Sequence, residues 1–177
     1  MKIRPATNAD ITSVTAIYQA IHALEERGEA HTGWKSDIYP IEATANAALA
    51  RKDLYVCEDD GRIVASAIIN QKQEDAYKGG NWEQKVPDDQ VMVLHTLAVD
   101  PSAGGKGIGR QMVAFYEQYA VEHGCIVLRM DTNEINMRAR SLYQRLGYRE
   151  AGIVPCSFHG LKRIRLVLLE KKVPRSK

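Results

Sequence analysis

Four glycines fall within six positions at Gly104-Gly105-Lys106-Gly107-Ile108-Gly109, directly after the apolar run Val91 to Val99 and at the mouth of a helical stripe. Glycine tolerates positive φ and lets a ligand approach the backbone, so such a loop turns several N–H groups toward one anion, and the helix dipole adds favourable potential. Lys106 and Arg110 supply further positive charge without needing to react. A nucleoside-triphosphate loop requires Gly-Lys-Ser/Thr, and here Gly105-Lys106 is followed by Gly107, so no hydroxyl is placed for magnesium. A dinucleotide fingerprint would begin at Gly105 and Gly107 but meets Arg110 at its third glycine, although Asp131 sits where a ribose-binding acid is expected. A glycine turn that merely joins strand to helix is the bland alternative.

The flanking pattern predicts what carries this loop. Lys2 to Pro5 reads as a short strand, and Thr7 as the cap of a helix whose apolar positions Ile11, Val14, Ile17, Tyr18, Ile21 and Leu24 share one face. Residues 28–40 break the pattern and read as a loop; Ile41 to Arg51 read as a second helix. Leu54 to Glu58 and Arg62 to Asn70 flank the turn Asp59-Asp60-Gly61 and form a hairpin. Gln71 to Gln90 is a polar excursion. After the glycine loop, Ile108, Met112, Phe115 and Tyr119 give a helical stripe stopped by Gly124. Cys125 to Met130 is a buried strand, which completes a βαβ unit, and Asn136 to Leu146 is a further helix stopped by Gly147. Tyr148 to Val154 and Ile164 to Leu169 are the last two strands.

Leu97-Ala98-Val99-Asp100-Pro101 followed by Gly105-Lys106-Gly107-Ile108-Gly109 resembles the Q/R-x-x-G-x-G/A motif of the GNAT superfamily of N-acetyltransferases, with Gly104 at the glutamine or arginine position. Asn136-Met137-Arg138-Ala139-Arg140-Ser141-Leu142-Tyr143-Gln144-Arg145-Leu146-Gly147-Tyr148 is similar to the family's N-x-x-A-x-x-L-Y-x-x-x-G-F/Y block. The resemblance implies one α/β domain over residues 1–177, with a central mixed, mostly antiparallel sheet and helices on both faces. It implies acetyl-CoA as co-substrate, its pantetheine arm lying between two splayed strands, Val91–Val99 and Cys125–Met130. Backbone groups of Leu97, Ala98 and Val99 would face the arm, Gly104, Gly105, Lys106, Gly107, Ile108, Gly109 and Arg110 would hold the diphosphate, and Asn136 and Arg140 would lie near the cofactor. Tyr143 matches the family tyrosine that protonates the leaving sulfur, with a core tyrosine as the alternative. His95 stands where some members place a histidine that helps deprotonate the amine; Asp131 is the second candidate base, or a turn acid. The implied reaction is direct acetyl transfer to a primary amine of a small molecule, and a homodimer is implied by the resemblance alone.

Trp34, Tyr39, Tyr77 and Trp82 fall in loops ahead of the cofactor unit and could wall an acceptor pocket or anchor the loops. Glu25, Glu26 and Glu29 could meet a cationic acceptor, or sit at a solvated helix end. With 24 basic and 22 acidic residues the charge is too even for a nucleic-acid-binding domain, although a mild basic excess sits in residues 171–177. Met1-Lys2-Ile3-Arg4-Pro5 leads into a polar segment, so neither a signal peptide nor a membrane span is expected, and the reading is cytoplasmic. Cys57, Cys125 and Cys156 are odd in number, far apart and without histidines at ligand spacing, so they are expected to be reduced and structural, with no metal. Two other functions stay open at this point: a non-catalytic acyl-CoA-binding module, and an NAD(P)-dependent oxidoreductase.

Overall fold

The computed structural model describes residues 1–173; residues 174–177 of the basic tail lie outside the described residues. Seven strands, β1 (Lys2–Pro5), β2 (Leu54–Asp59), β3 (Arg62–Asn70), β4 (Val91–Val99), β5 (Val127–Asn133), β6 (Arg149–Phe158) and β7 (Leu161–Lys172), form one sheet in the order β1-β2-β3-β4-β5-β7-β6. Only β4 and β5 are parallel, joined through α3 (Ile108–Glu122); every other neighbour pair is antiparallel.

Helices cover both faces, because each carries one apolar stripe that must leave water. Val14, Ile17, Tyr18 and Ile21 of α1 (Ile11–Glu26) and Ala45 and Ala48 of α2 (Glu42–Ala50) pack on Val56, Ile68 and Ala98. On the other face Met112, Val113 and Tyr116 of α3 and Tyr143 of α4 (Met137–Arg145) pack on Ala65, Met92 and Leu128. Tyr116 pins α3 across the parallel seam, its hydroxyl donating to the carbonyls of Met92 at 2.7 Å and Arg129 at 3.0 Å. Among the described residues no helix is long and apolar enough to cross a membrane.

The sheet's last strands are longer than the hydrophobic pattern suggests. Pro155, Ser157 and Arg163 interrupt the apolar runs, yet β6 and β7 pair from Arg149↔Glu170 out to Phe158↔Leu161. His159 (φ 47°) and Gly160 (φ 86°) make the two-residue turn, whose positive φ values match the twist of a hairpin. β6 is the sheet's edge, where a proline at 155 removes no central ladder bond.

One irregularity sets up the site. Ser66 pairs with Ala98 but Ile68 pairs with His95, so Thr96 and Leu97 of β4 oppose the single residue Ala67. This is a β-bulge, and Thr96 within it has φ 48°, a conformation rarely adopted by a β-branched residue. On the opposite edge of β4, pairing with β5 runs from Val91↔Val127 to Leu94↔Met130 and then stops, although both strands continue. The bulge redirects β4 where the two strands part.

Candidate active site

The gap between the parted strands opens into a cavity of about 100 Å³, lined by Leu94, His95, Thr96 and Leu97 of β4, Asp131, Thr132 and Asn133 of β5, and Asn136, Ala139 and Tyr143 at α4. Asp100 donates its N–H to the Val64 carbonyl at 2.9 Å, so by strand alternation Val99, on the regular side of the bulge, turns its backbone groups away from β3, toward the gap. Such unpaired N–H and C=O groups suit an amide-bearing arm.

At the cavity's outer end the chain turns into the glycine loop. The Asp100 carboxylate accepts the Ser102 N–H at 2.8 Å and fixes the loop's entry. Gly107 caps α3 with φ 67° and ψ 24°, a left-handed conformation that needs glycine, and a β-carbon there would meet nothing within 4 Å. The space beside its backbone is free for an anion at the N-terminus of a 15-residue helix. Gly109 instead lies where a β-carbon would stand 3.5 Å from Leu142. Ile108 is buried in the core, Gly104, Gly105 and Arg110 are exposed, and Lys106 pairs with Asp59 at 2.6 Å, so its side chain is turned toward the β2–β3 hairpin.

Asn136 caps α4, accepting the Ala139 N–H at 3.1 Å, and lines the cavity. Arg140 does not: it is held by Glu150 at 2.8 and 3.0 Å and by the Glu134 carbonyl at 2.9 Å, where it ties α4 to β6. Tyr143 is both a core residue and a cavity wall, with burial and then the Asp131 charge raising its hydroxyl well above the ordinary tyrosine range.

Asp131 sits on β5 rather than in a turn. Burial pushes its carboxyl up to about 6, opposed by the Tyr77 hydroxyl, which donates to Oδ2 at 2.8 Å. His95 is buried and held down to about 4 by burial. The hydrogen-bond network fixes its tautomer. Asn70 donates through Nδ2 to Asp53 at 2.8 Å and accepts the Lys72 N–H on Oδ1 at 2.9 Å, so Oδ1 must accept the His95 Nε2 proton at 3.0 Å. Nδ1 is then the unprotonated nitrogen. A neutral imidazole held in this way takes up a proton poorly at neutral pH.

Of the four aromatic candidates, two wall the cavity and two do not. Trp34 and Tyr39 close it from the α1–α2 loop, while Phe158 comes from the tip of the β6–β7 hairpin. Tyr39 packs edge-on to Trp34 and Phe158, stacks on His159 with 4.6 Å between ring centroids, and hydrogen-bonds to Thr96. The loop is seated hard on the sheet: a β-carbon at Gly33 would fall 2.2 Å from Asn133 Nδ2. Tyr77 lies behind the cavity as the partner of Asp131, and Trp82 lies beneath the Arg129 guanidinium at 4.1 Å, its indole N–H given to the Tyr77 carbonyl. Trp82 is therefore an anchor of the 71–90 excursion. The acidic trio is structural too: Glu25 accepts the Thr32 and Gly33 N–H groups at 2.8 Å, Glu26 the Ser36 hydroxyl, and Glu29 pairs with Arg27.

All three cysteines are free, and burial raises each thiol, which leaves them poor nucleophiles. Among the described residues no group of three or more histidine, cysteine or acidic side chains could hold a metal ion. Three neighbours of the cavity escaped the sequence. Thr96 carries no signal for its bulge, while Glu74 and His159 lie in segments whose polarity alone suggests loop.

A family model described as the acetyltransferase (GNAT) family matches residues 17–148. The chain is 24% identical over 152 residues to the uncharacterised N-acetyltransferase YhfO of Bacillus subtilis, a match that covers 85% of this chain and 91% of that protein. Among solved structures it is similar to a GNAT family acetyltransferase from Streptococcus agalactiae, with TM-score 0.81 and 20% identity over 99% of this chain and 96% of that one. It is also similar to the acetyltransferase yncA from Salmonella typhimurium, solved with its cofactor acetyl-CoA, with TM-score 0.68 and 19% identity over 100% of this chain and 96% of that one.

Proposed function

Because this chain belongs to the GNAT family of acetyltransferases and takes acetyl-CoA as its co-substrate, we propose that it acetylates the primary amine of a small molecule by direct transfer in a ternary complex. The observation that carries this reading is the placement of Asp131 and Tyr143 on the walls of one cavity at the strand splay. Acyl transfer to an amine needs a base for the ammonium proton and an acid for the departing sulfur, and a carboxylate and a protonated phenol are groups of those two kinds, both shifted upward by burial.

The gap between β4 and β5 would take the pantetheine arm, with Leu97 and Val99 offering backbone groups and Gly104 to Arg110 the diphosphate site. Asp131 accepts the proton of the attacking amine; at about 6 its carboxyl is ionised at neutral pH yet more basic than an ordinary aspartate. Tyr143 donates its phenolic proton to the sulfur as the C–S bond breaks. The two steps are coupled. Once Asp131 is protonated, the negative charge that helps raise Tyr143 is gone, and the phenol becomes a stronger acid when the sulfur needs a proton. His95, lowered by burial and committed to Asn70, serves better as a hydrogen-bond acceptor than as the base.

A small acceptor is favoured by the size of the cavity, about 100 Å³, which Trp34, Tyr39 and Phe158 share with Asp131 as lining. Solved structures with this fold include a ribosomal-protein-alanine N-acetyltransferase, so peptide amines form the control. The test is a coenzyme A release assay with acetyl-CoA against matched panels of small primary amines and amino-terminal peptides. Turnover confined to small amines, with kcat reduced about a hundredfold or more by Tyr143→Phe, is the expected result. Turnover confined to peptides would overturn the acceptor class, and unchanged kcat in the variant would overturn the role of Tyr143.

A further inference from the structure

Charge is distributed unevenly around the cavity. The Asp131 carboxylate accepts the Tyr77 hydroxyl at 2.8 Å and forms no ion pair among the described residues. His95 joins the wall as a neutral imidazole, its proton given to Asn70. No lysine or arginine among the described residues lines the cavity, and much of the rest is apolar surface from Trp34, Tyr39, Phe158, Leu161 and Ile164.

Basic side chains on the flanking elements are turned elsewhere. Arg129 stands two positions before Asp131 on β5 and shares its face, but its guanidinium lies over Trp82 at 4.1 Å and donates to the Gln84 carbonyl at 2.8 Å. Arg165 falls between Ile164 and Leu166 on β7, so strand alternation sends it to the opposite face, where it pairs with Glu134 at 2.9 Å. His159, at the hairpin tip, pairs with Glu74 at 3.4 Å and lines a different hollow. Lys162 and Arg163 are exposed and stand outside the lining.

This arrangement selects by charge. A protonated amine arriving from water meets its counter-ion in Asp131, and the neutral amine left after proton transfer is surrounded by apolar walls. A carboxylate beside the same nitrogen would be carried into the cavity with it, next to Asp131 and away from any cation. Burying a charge without a partner and setting like charges together are both costly. A neutral amide in that position would meet only the uncharged polar groups of Thr132 and Asn133.

Resting on the acetyltransferase reading above, we propose that the acceptor is a small monoamine with an uncharged body and no anionic group beside its reacting nitrogen, so that free amino acids are excluded. Asp131 then selects the acceptor before it takes its proton.

Isobutylamine, glycinamide and glycine share one heavy-atom skeleton and differ only in an end that is apolar, polar or anionic. The experiment is a calorimetric titration of the full chain, saturated with coenzyme A, with each of the three. Isobutylamine should bind about tenfold or more tightly than glycine, with glycinamide between them. Ile164→Lys adds a cation to the lining and should narrow the gap to about threefold or less, its unchanged coenzyme A affinity showing that the fold is kept. Asp131→Asn, which removes the negative charge, should narrow the same gap from the other side. Because the titration reads binding, absent coenzyme A release with this order of affinities intact would sink only the transfer reading. Equal or reversed affinities in the wild type, no binding of any probe, or a gap that survives both substitutions would each overturn the proposal.

Discussion

Tyr77 Oη lies 2.8 Å from Asp131 Oδ2, and this single hydrogen bond opposes the burial that raises the Asp131 carboxyl to about 6. A phenol on the 71–90 excursion thereby sets the basicity of a carboxylate on the central sheet. If Asp131 is the base, kcat/KM should fall on the acid side with an apparent pKa near 6. Tyr77→Phe removes a bond made to the charged form, so the same limb should move to higher pH. A pH–rate profile of the two proteins checks this, and an acid limb unmoved by the substitution would remove Asp131 from the role.

Asp131→Asn should give an inactive but more stable protein. The folded carboxyl stands at about 6 against an ordinary value of 3.8, so its ionisation disfavours the native state. The sign follows from linkage: below about pH 4 the group is protonated in both states, and wild-type stability is lost as pH rises through about 6. A shift of about two units corresponds to at most about 3 kcal/mol, and partial exposure reduces this to about 1–2 kcal/mol at neutral pH. Denaturant titrations at pH 4 and pH 7 should therefore coincide for the two proteins at the lower pH and diverge at the higher.

The extent to which the sequence foretold this site follows from the range of the forces involved. Gly107 and the stripe Ile108, Met112, Phe115 and Tyr119 are local signals, set by backbone sterics and helical period, and the loop and helix lie where the pattern places them. The parallel seam follows from the βαβ order. The role of Asp131 depends on Tyr77, fifty-four positions away in sequence, and that of His95 on Asn70, twenty-five away. Neither partner has a local signature. The Thr96 bulge is likewise a matter of register between β3 and β4, which period-two alternation cannot reveal. The motif places Arg140 at the cofactor, whereas the sheet edge that folds beneath it gives its guanidinium to Glu150.

Two glycines of the same loop should respond oppositely to alanine. Gly107 has φ 67°, so Gly107→Ala should lose about 1–2 kcal/mol of stability from backbone strain alone, since a β-carbon there meets nothing within 4 Å. Its new methyl would occupy the anion's side of the helix mouth, and acetyl-CoA affinity should fall about tenfold or more. Gly109 lies inside α3, where a β-carbon would make an ordinary 3.5 Å contact with Leu142, so Gly109→Ala should leave stability unchanged or raise it by up to about 1 kcal/mol. Thermal unfolding and acetyl-CoA titration of both variants measure the contrast.

Arg140 and Arg110 offer a last separation between motif and geometry. Arg140 is bound bidentately by Glu150 and capped by the Glu134 carbonyl, and its side chain would have to abandon all three bonds to reach a phosphate. Arg110 is exposed beside the glycines at the start of α3. Arg140→Ala should accordingly lower stability by about 0.5–1 kcal/mol, as expected for a partly exposed pair, and change acetyl-CoA affinity less than twofold. Arg110→Ala should leave stability unchanged and weaken acetyl-CoA several-fold, with the loss shrinking as salt is raised, because a screened surface charge acts over about one Debye length. Titrations of each variant at low and high ionic strength distinguish the two arginines, and a salt-dependent loss at Arg140 instead of Arg110 would reverse their assignment.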